Sequence, residues 1–467
     1  MLALVGACVL VAGVSVVVLP TAMGFDPWAW LVWGREVGRL ELDTTGGPSW
    51  KPLPAVVTSL LAPAGDLAPD LWLVIARASG LLLACGVFRL AARWVGPRLG
   101  AGPAVLGGTV AVGALLLTPD AEPRLLRTIL EGHTAPLAAA LAAWAIDRFL
   151  AGRVVVALTL GALVALLRPE AWPLVAVAAA WLWPRSVASR RIAVVALVLV
   201  PLAWFGGDWW GSGDPFHGAA EAQVASGDAI DRLQDASRAV AQMVVVPVWA
   251  LALVAVVHAV RCRRPSLVVC AAGAATWCTS VVAMSVLFGY AAISRFLLPA
   301  AAVVCALGGA AAGQLVRLLW AERAGGRGAS TNRVGLAGLG GRVVAVAVLV
   351  AVALPFVTAR AASLEDVVDE VEARRRLDED LPAAVDRAGG PSAVLACGPV
   401  AVDGSSLLRP ALAWELDVPL DRVGADVLDT GVSFVVAGGE EDVELAATGR
   451  AVLVTRSPDW VVYDVGC

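Results

Sequence analysis

Apolar segments recur along this chain at 2–23, 69–92, 103–118, 134–151, 154–168, 171–184, 192–206, 240–260, 267–288, 296–318 and 343–358. Many approach the ~20 residues that a helix needs to cross a bilayer. A soluble globule is excluded. Hydrophobic residues make up 59% of the 467 and charged residues only 16%, against about 25% in soluble domains. The pattern predicts a polytopic α-helical membrane protein with about eleven transmembrane helices. A further short helix at 54–64 reads as lying in the membrane interface.

Arginine placement orients the chain. One alternating set of loops carries Arg89, Arg93 and Arg98, then Arg148 and Arg153, then Arg185, Arg190 and Arg191, then Arg261, Arg263 and Arg264, then Arg317 to Arg342. These loops hold few acids, and the positive-inside rule makes them cytoplasmic together with the N-terminus. The remaining loops mix both charge signs with Trp, Gly and Pro, and they face outward. An odd number of crossings then puts the C-terminal part outside a multi-pass plasma-membrane protein. The N-terminus has no basic stretch, so a cleaved signal peptide is not expected.

After Arg360 the composition changes sharply, which divides the chain into a membrane domain, 1–358, and a small extracytoplasmic α/β domain, 359–467. Leu364, Val367, Val368, Val371 and Leu377 form a helical stripe. SAVLACG, VSFVVAG, RAVLVTR and WVVYDV read as strands, with a short helix near 410–416. No GxGxxG, P-loop or Ser-His-Asp pattern occurs there, so a docking or acceptor-positioning role stands beside plain structural support. Cys397 and Cys467 are a candidate disulfide on the oxidising side of the membrane. The cysteines inside apolar segments read as small hydrophobes.

The outer loops hold the chemistry. The opening loop, 24–54, carries Asp26, Arg35, Glu36, Asp43 and Lys51, the only lysine in the chain, with Trp28, Trp30, Trp33 and Trp50. Asp26 reads either as an N-cap ahead of Pro27 or as a general base. The tryptophans suit an interfacial belt, with stacking on a sugar ring as the other reading. The second outer loop offers Arg127, Glu131 and His133 after Asp120, Glu122 and Arg124. The third offers Arg168 and Glu170 close to the hydrocarbon boundary, where a charge is a functional candidate by default, unless the two pair with each other. The fourth contains Asp208, Asp214 and His217, and the fifth Tyr290 and Arg295. Three histidines argue against a histidine metal site, while a divalent cation held by carboxylates stays open.

Outward acids beside membrane-proximal arginines suit one reaction. A carboxylate deprotonates an acceptor hydroxyl, and guanidinium groups stabilise a departing phosphate. No nucleotide fold is present, so the donor would be lipid-linked and enter from the bilayer. No nucleic-acid partner is expected.

WGRE and TTGGPSWKPLP, EGHTAPLAAALAAWAIDR, LLRPEAWP, WWGSGDPF and GYAAISRFLLPAA together resemble integral-membrane glycosyltransferases of the C superfamily (GT-C). The likeness is to actinobacterial members near the mannosyl- and arabinofuranosyltransferases of the cell envelope. It implies a polyprenyl-phosphate sugar donor and an envelope glycan, lipid or protein acceptor. It makes Asp26 the catalytic base. Many members have two adjacent acids there, whereas here Glu36 or Asp43 must supply the second. Lys51, Arg168 and Arg295 are candidates for the donor phosphate, with Arg127, Glu131, His133, Glu170, Trp28 and Asp214 as further substrate-binding residues. The rival readings are a lipid or polysaccharide transporter, which would need midplane polar groups and an inverted repeat, and a non-catalytic partner in envelope assembly. Convergence of Asp26, Arg168 and Arg295 on one cavity separates them.

Overall fold

In the computed structural model, which describes residues 2–96, 101–118, 125–321, 334–402, 406–425, 430–448 and 451–466, each of the eleven apolar segments contains a helix. The chain begins with α1 (Leu2–Val18), α2 (Phe25–Arg39), α3 (Pro52–Leu61), α4 (Ala68–Val95), α5 (Ala101–Leu116) and α6 (Leu125–Leu130). It continues through α7 (Ala135–Leu150), α8 (Val154–Ala165), α9 (Trp172–Leu182), α10 (Val187–Ser212), α11 (His217–Glu221) and α12 (Ala229–Gln242). Then come α13 (Val246–Arg261), α14 (Pro265–Phe288), α15 (Ser294–Ala321) and α16 (Val334–Arg387).

Helix α15 is the hub, with 94% of its apolar window buried. Its sequence explains this, since Ala and Gly let neighbouring backbones approach where no hydrophobic force separates helix from lipid. A side chain at Gly107 of α5 would put its Cβ 2.8 Å from the carbonyl oxygen of Gly309. The helices are not all alike in reach. Four among the described residues are long and apolar enough to cross a bilayer by themselves: Pro52–Val95, Val187–Ser212, Pro265–Phe288 and Ser294–Val316. Helix α8, with 12 residues, extends only ~18 Å against a hydrocarbon core of ~30 Å. Segment positions therefore match the sequence reading better than segment lengths do.

Two boundaries move. Helix α10 runs on through GGDWWGS, so the fourth outer loop starts six residues later than hydropathy suggests and Asp208 lies on a helix. The expected segment at 240–260 is mostly α13, which follows α12 across a bend of 80°. Asp228 caps α12, its Oδ1 accepting from Ile230 N at 2.7 Å and Asp231 N at 2.9 Å.

The C-terminal part is not hung on a linker. Helix α16 is a single 54-residue rod that passes through the composition change without a break. Beyond it lie α17 (Gly390–Ala396), β1 (Val400–Val402), α18 (Arg409–Glu415), β2 (Val423–Gly424), β3 (Gly431–Val436), α19 (Glu440–Thr448), β4 (Ala451–Arg456) and β5 (Trp460–Val465). The sheet order is β2-β1-β3-β5-β4, with β1 parallel to β2 and β3, and β5 antiparallel to β3 and β4. SAVLACG, expected as a strand, is mostly helix α17; Pro391 suits its first turn and Gly389 its left-handed N-cap. Cys397 is disulfide-bonded, and Cys467, its expected partner, lies outside the described residues.

The sheet and α18 pack on the opening loop. Trp28, Trp30 and Trp33 are 8%, 0% and 0% exposed, in one core with Leu381, Leu412, Phe434 and Trp460. This corrects the interfacial-belt reading, because the apolar surface that these indoles meet is protein. Arg35 completes the joint, donating to the carbonyls of Trp414, Ala413 and Val418 at 3.0, 3.3 and 3.2 Å.

Candidate active site

Backbone hydrogen bonds stitch the loops expected to face outward into one body. Gly24 N donates to Glu131 O at 3.0 Å, Leu53 N to Leu166 O at 3.3 Å, Thr44 N to Gly211 O at 3.1 Å, and Ala225 N to Gly289 O at 2.9 Å. Residues from four of these loops thereby meet around Asp26.

Asp26 does not cap its helix. Gly24 is the N-cap of α2 and Asp26 sits inside the first turn, where the helix dipole favours a negative charge. Its carboxylate instead meets cations: Lys51 Nζ lies 3.2 Å and Arg295 Nη2 3.8 Å from Oδ2. Burial pushes the Asp26 carboxyl up, but the charges of Lys51 and Arg295 outweigh it and hold the group well below the usual range. Burial works the other way on Lys51 and, with repulsion from Arg168 and Arg295, brings it down to about 8 despite Asp26. The ammonium stands over the Trp30 ring, 5.0 Å from its centroid.

Arg168 does not pair with Glu170. Among the described residues no carboxylate stands within ion-pair distance of it, and its guanidinium lies 4.3 Å from the centroid of Phe296. Arg295 lies 5.6 Å from the same ring. Burial lowers Arg168 to about 10, with the Glu170 charge opposing and Arg295 adding to the shift. Burial pushes the Glu170 carboxyl up, and Arg168 holds it down in part. Lys51, Arg168 and Arg295 thus face Asp26 and Glu170, which leaves one positive charge over.

The second loop supplies a supporting chain. Arg295 Nη1 donates to His133 Nδ1 at 3.3 Å, so Nε2 carries the ring proton toward Glu131 Oε2 at 3.3 Å. Arg127 Nε meets Glu131 Oε1 at 2.8 Å, and Arg127 Nη1 reaches Glu370 of α16 at 3.0 Å. Gly24 makes room for this chain; a Cβ there would stand 2.8 Å from His133 Nε2.

Several expected residues lie elsewhere. Glu36 is ten residues along α2 from Asp26, or ~15 Å of helix rise, and it accepts from Asp43 N at 3.0 Å. Asp43 itself closes a turn through Thr45 N at 2.8 Å. Neither can form a carboxylate pair with Asp26. Trp28 packs against Trp414, with centroids 6.3 Å apart, and presents no free face to a sugar. Asp214 is an exposed turn former, its Oδ1 accepting from Phe216 N at 2.9 Å. Among the described residues no three His, Cys, Asp or Glu side chains gather as a metal site. Two contributors escaped the sequence reading. Phe296 looks like any residue of an apolar span, and Asp378, which accepts from Met23 N at 3.2 Å, looks like a surface acid of an amphipathic helix.

No family model and no curated protein matches the sequence. Among solved structures, the crystal structure of ArnT from Cupriavidus metallidurans bound to undecaprenyl phosphate matches with a TM-score of 0.54 at 18% identity. The match covers 99% of this chain and 97% of that one. The chain shares the ArnT fold. ArnT in its apo state gives 0.49 at 17% identity over the same shares.

Proposed function

We propose that this protein is an inverting glycosyltransferase that moves a sugar from a polyprenyl phosphate to an acceptor hydroxyl at the outer membrane face. The observation that carries this reading is the convergence of Lys51, Arg295 and Arg168 around the buried carboxylate of Asp26. A buried excess of positive charge favours an anion as its ligand, and arginine suits phosphate. The fold likeness supports the same class of ligand, since the ArnT structure holds undecaprenyl phosphate.

In the proposed reaction the acceptor hydroxyl gives its proton to Asp26 while its oxygen bonds to the anomeric carbon. The bond from that carbon to the phosphate oxygen breaks, and its electron pair leaves on the lipid phosphate. Lys51, Arg168 and Arg295 receive the added charge. In the free protein Lys51 and Arg295 keep Asp26 ionised and a weak base. A donor phosphate competes for both cations and thereby strengthens the base when the donor is in place. We further assign eleven crossings, a cytoplasmic N-terminus, an extracytoplasmic domain at 359–467, and an envelope glycan, lipid or protein as acceptor. The sugar is a hexose or pentose, in line with mannosyl and arabinofuranosyl transfer.

The test is to incubate purified protein with a panel of polyprenyl-phosphate sugars and an envelope extract as acceptor, and to measure released lipid phosphate. Release from at least one donor is expected. No release from any of them, with lipid binding unaltered by sugar or phosphate, overturns the reading.

A further inference from the structure

Two buried carboxylates take no part in the transfer just described. Glu170 and Asp208 are 5% and 4% exposed, and each keeps one oxygen, Glu170 Oε2 and Asp208 Oδ1, without a hydrogen-bond partner. Such an oxygen is costly to bury, and a ligand that brings a hydrogen-bond donor removes the cost. The two come from different segments that the fold brings to Tyr290. The turn bearing Glu170 packs on α14, which ends just before Tyr290, and the segment after Asp208 joins there through Ala225 N to Gly289 O at 2.9 Å. Burial and the charges of Glu170 and Asp208 push the phenol up. Asp208 is held in place from behind, with Gly218 N donating to Oδ2 at 3.1 Å. A Cβ at residue 218 would stand 2.9 Å from Oδ1, so the backbone wraps the carboxylate closely.

Glu170 also lies in the fields of Arg168 and Lys51, the cations assigned to the donor phosphate. A carboxylate in that position repels phosphate and accepts only hydrogen-bond donors. In a polyprenyl-phosphate sugar, the group joined directly to the phosphate is the sugar, and its hydroxyls are such donors. We propose that Glu170 and Asp208, with the Tyr290 hydroxyl, form the subsite that holds the donor's sugar ring by its hydroxyls. This rests on the donor reading above and adds the residues that distinguish a sugar-bearing lipid from a bare one.

Full-length protein in nanodiscs is titrated with undecaprenyl phosphate and, separately, with undecaprenyl-phosphate mannose, glucose and arabinofuranose. The wild type should bind at least one sugar lipid about tenfold tighter than undecaprenyl phosphate. Glu170→Gln and Asp208→Asn should each erase most of that advantage. Binding of undecaprenyl phosphate should stay unchanged or tighten, because a negative charge near the phosphate is gone. Tyr290→Phe removes a single oxygen, keeps the protein testable if the carboxylate variants do not fold, and should weaken only the sugar lipid by about threefold. Equal losses on both kinds of lipid, no loss on either, or a wild type indifferent to the sugar overturns the subsite. A wild type that does not bind undecaprenyl phosphate overturns the donor reading itself, and the subsite with it.

Discussion

The molecule twice surrounds one buried aspartate with cations, and the two clusters are built differently. Where α4 meets α7, Asp147 is 0% exposed and three arginines bond to it. Arg89 Nε and Arg93 Nη2 meet Oδ1 at 3.0 and 2.8 Å, and Arg148 meets Oδ2. At the candidate site Asp26 has one close cation, Lys51, a looser one, Arg295, and a third, Arg168, that bonds to no carboxylate among the described residues. A saturated cluster holds helices α4 and α7 together. The second leaves the buried guanidinium of Arg168 unbonded to carboxylate and so able to take a ligand.

The largest expected effect tests that contrast directly. Asp26→Asn should lower lipid-phosphate release by about 10²–10⁴-fold while the protein still reaches the membrane; wild-type turnover in this variant would sink the base assignment. Asp147→Asn should do the reverse, keeping turnover per folded molecule while lowering thermal stability. The cost of leaving buried charge unpaired is about 3–5 kcal/mol, and the lower end applies because Arg89 is half-exposed. Coincident phenotypes would mean that the two clusters do the same job.

Next in size, Arg168→Ala should weaken undecaprenyl-phosphate binding by about 10–100-fold, the range for hydrogen bonds to charged groups. Unchanged affinity in Arg168→Ala, Arg295→Ala and Lys51→Ala alike would remove the phosphate role. The pH dependence is smaller but has a definite sign. Lys51 sits at about 8 instead of 10.5, so donor affinity should fall as pH rises through about 8, and Lys51→Arg should move that limb upward. The unfolded chain binds more protons between those two values, so stability should rise with pH in that window while affinity falls. A flat affinity profile from pH 7 to 9 would count against Lys51 as a phosphate ligand. The smallest effect is expected for His133→Ala, which frees Arg295 from its acceptor. It should lower kcat by about tenfold with little change in KM, and His133→Gln, which keeps an acceptor, should recover part of it. An effect on KM alone would reassign His133 to ground-state binding.

Much of this was legible one residue at a time. Apolar rhythm located the helices because burial in a bilayer leaves its mark on every residue of a span. Asp26, Lys51, Arg168 and Arg295 stood out because charge near lipid is expensive. What failed depended on direction or distance. Glu36 and Asp43 look like neighbours of Asp26, yet a helix carries them ~15 Å away. Trp28, Trp30 and Trp33 look like membrane anchors, because the residues that cover them come from the far end of the chain. Phe296, which lies beneath two guanidinium groups, has nothing in its local sequence to mark it.

That far-end cover has a consequence for biogenesis. Trp33 leaves the ribosome roughly 350 residues before Leu381 and its neighbours, and at about 5–20 residues per second the delay is roughly 20–70 s. Throughout that interval Trp28, Trp30 and Trp33 lack the residues that cover them in the folded chain. Their core is complete only when Trp460 of the last strand arrives. A nascent or truncated chain would carry all of its apolar helices with these three indoles still uncovered.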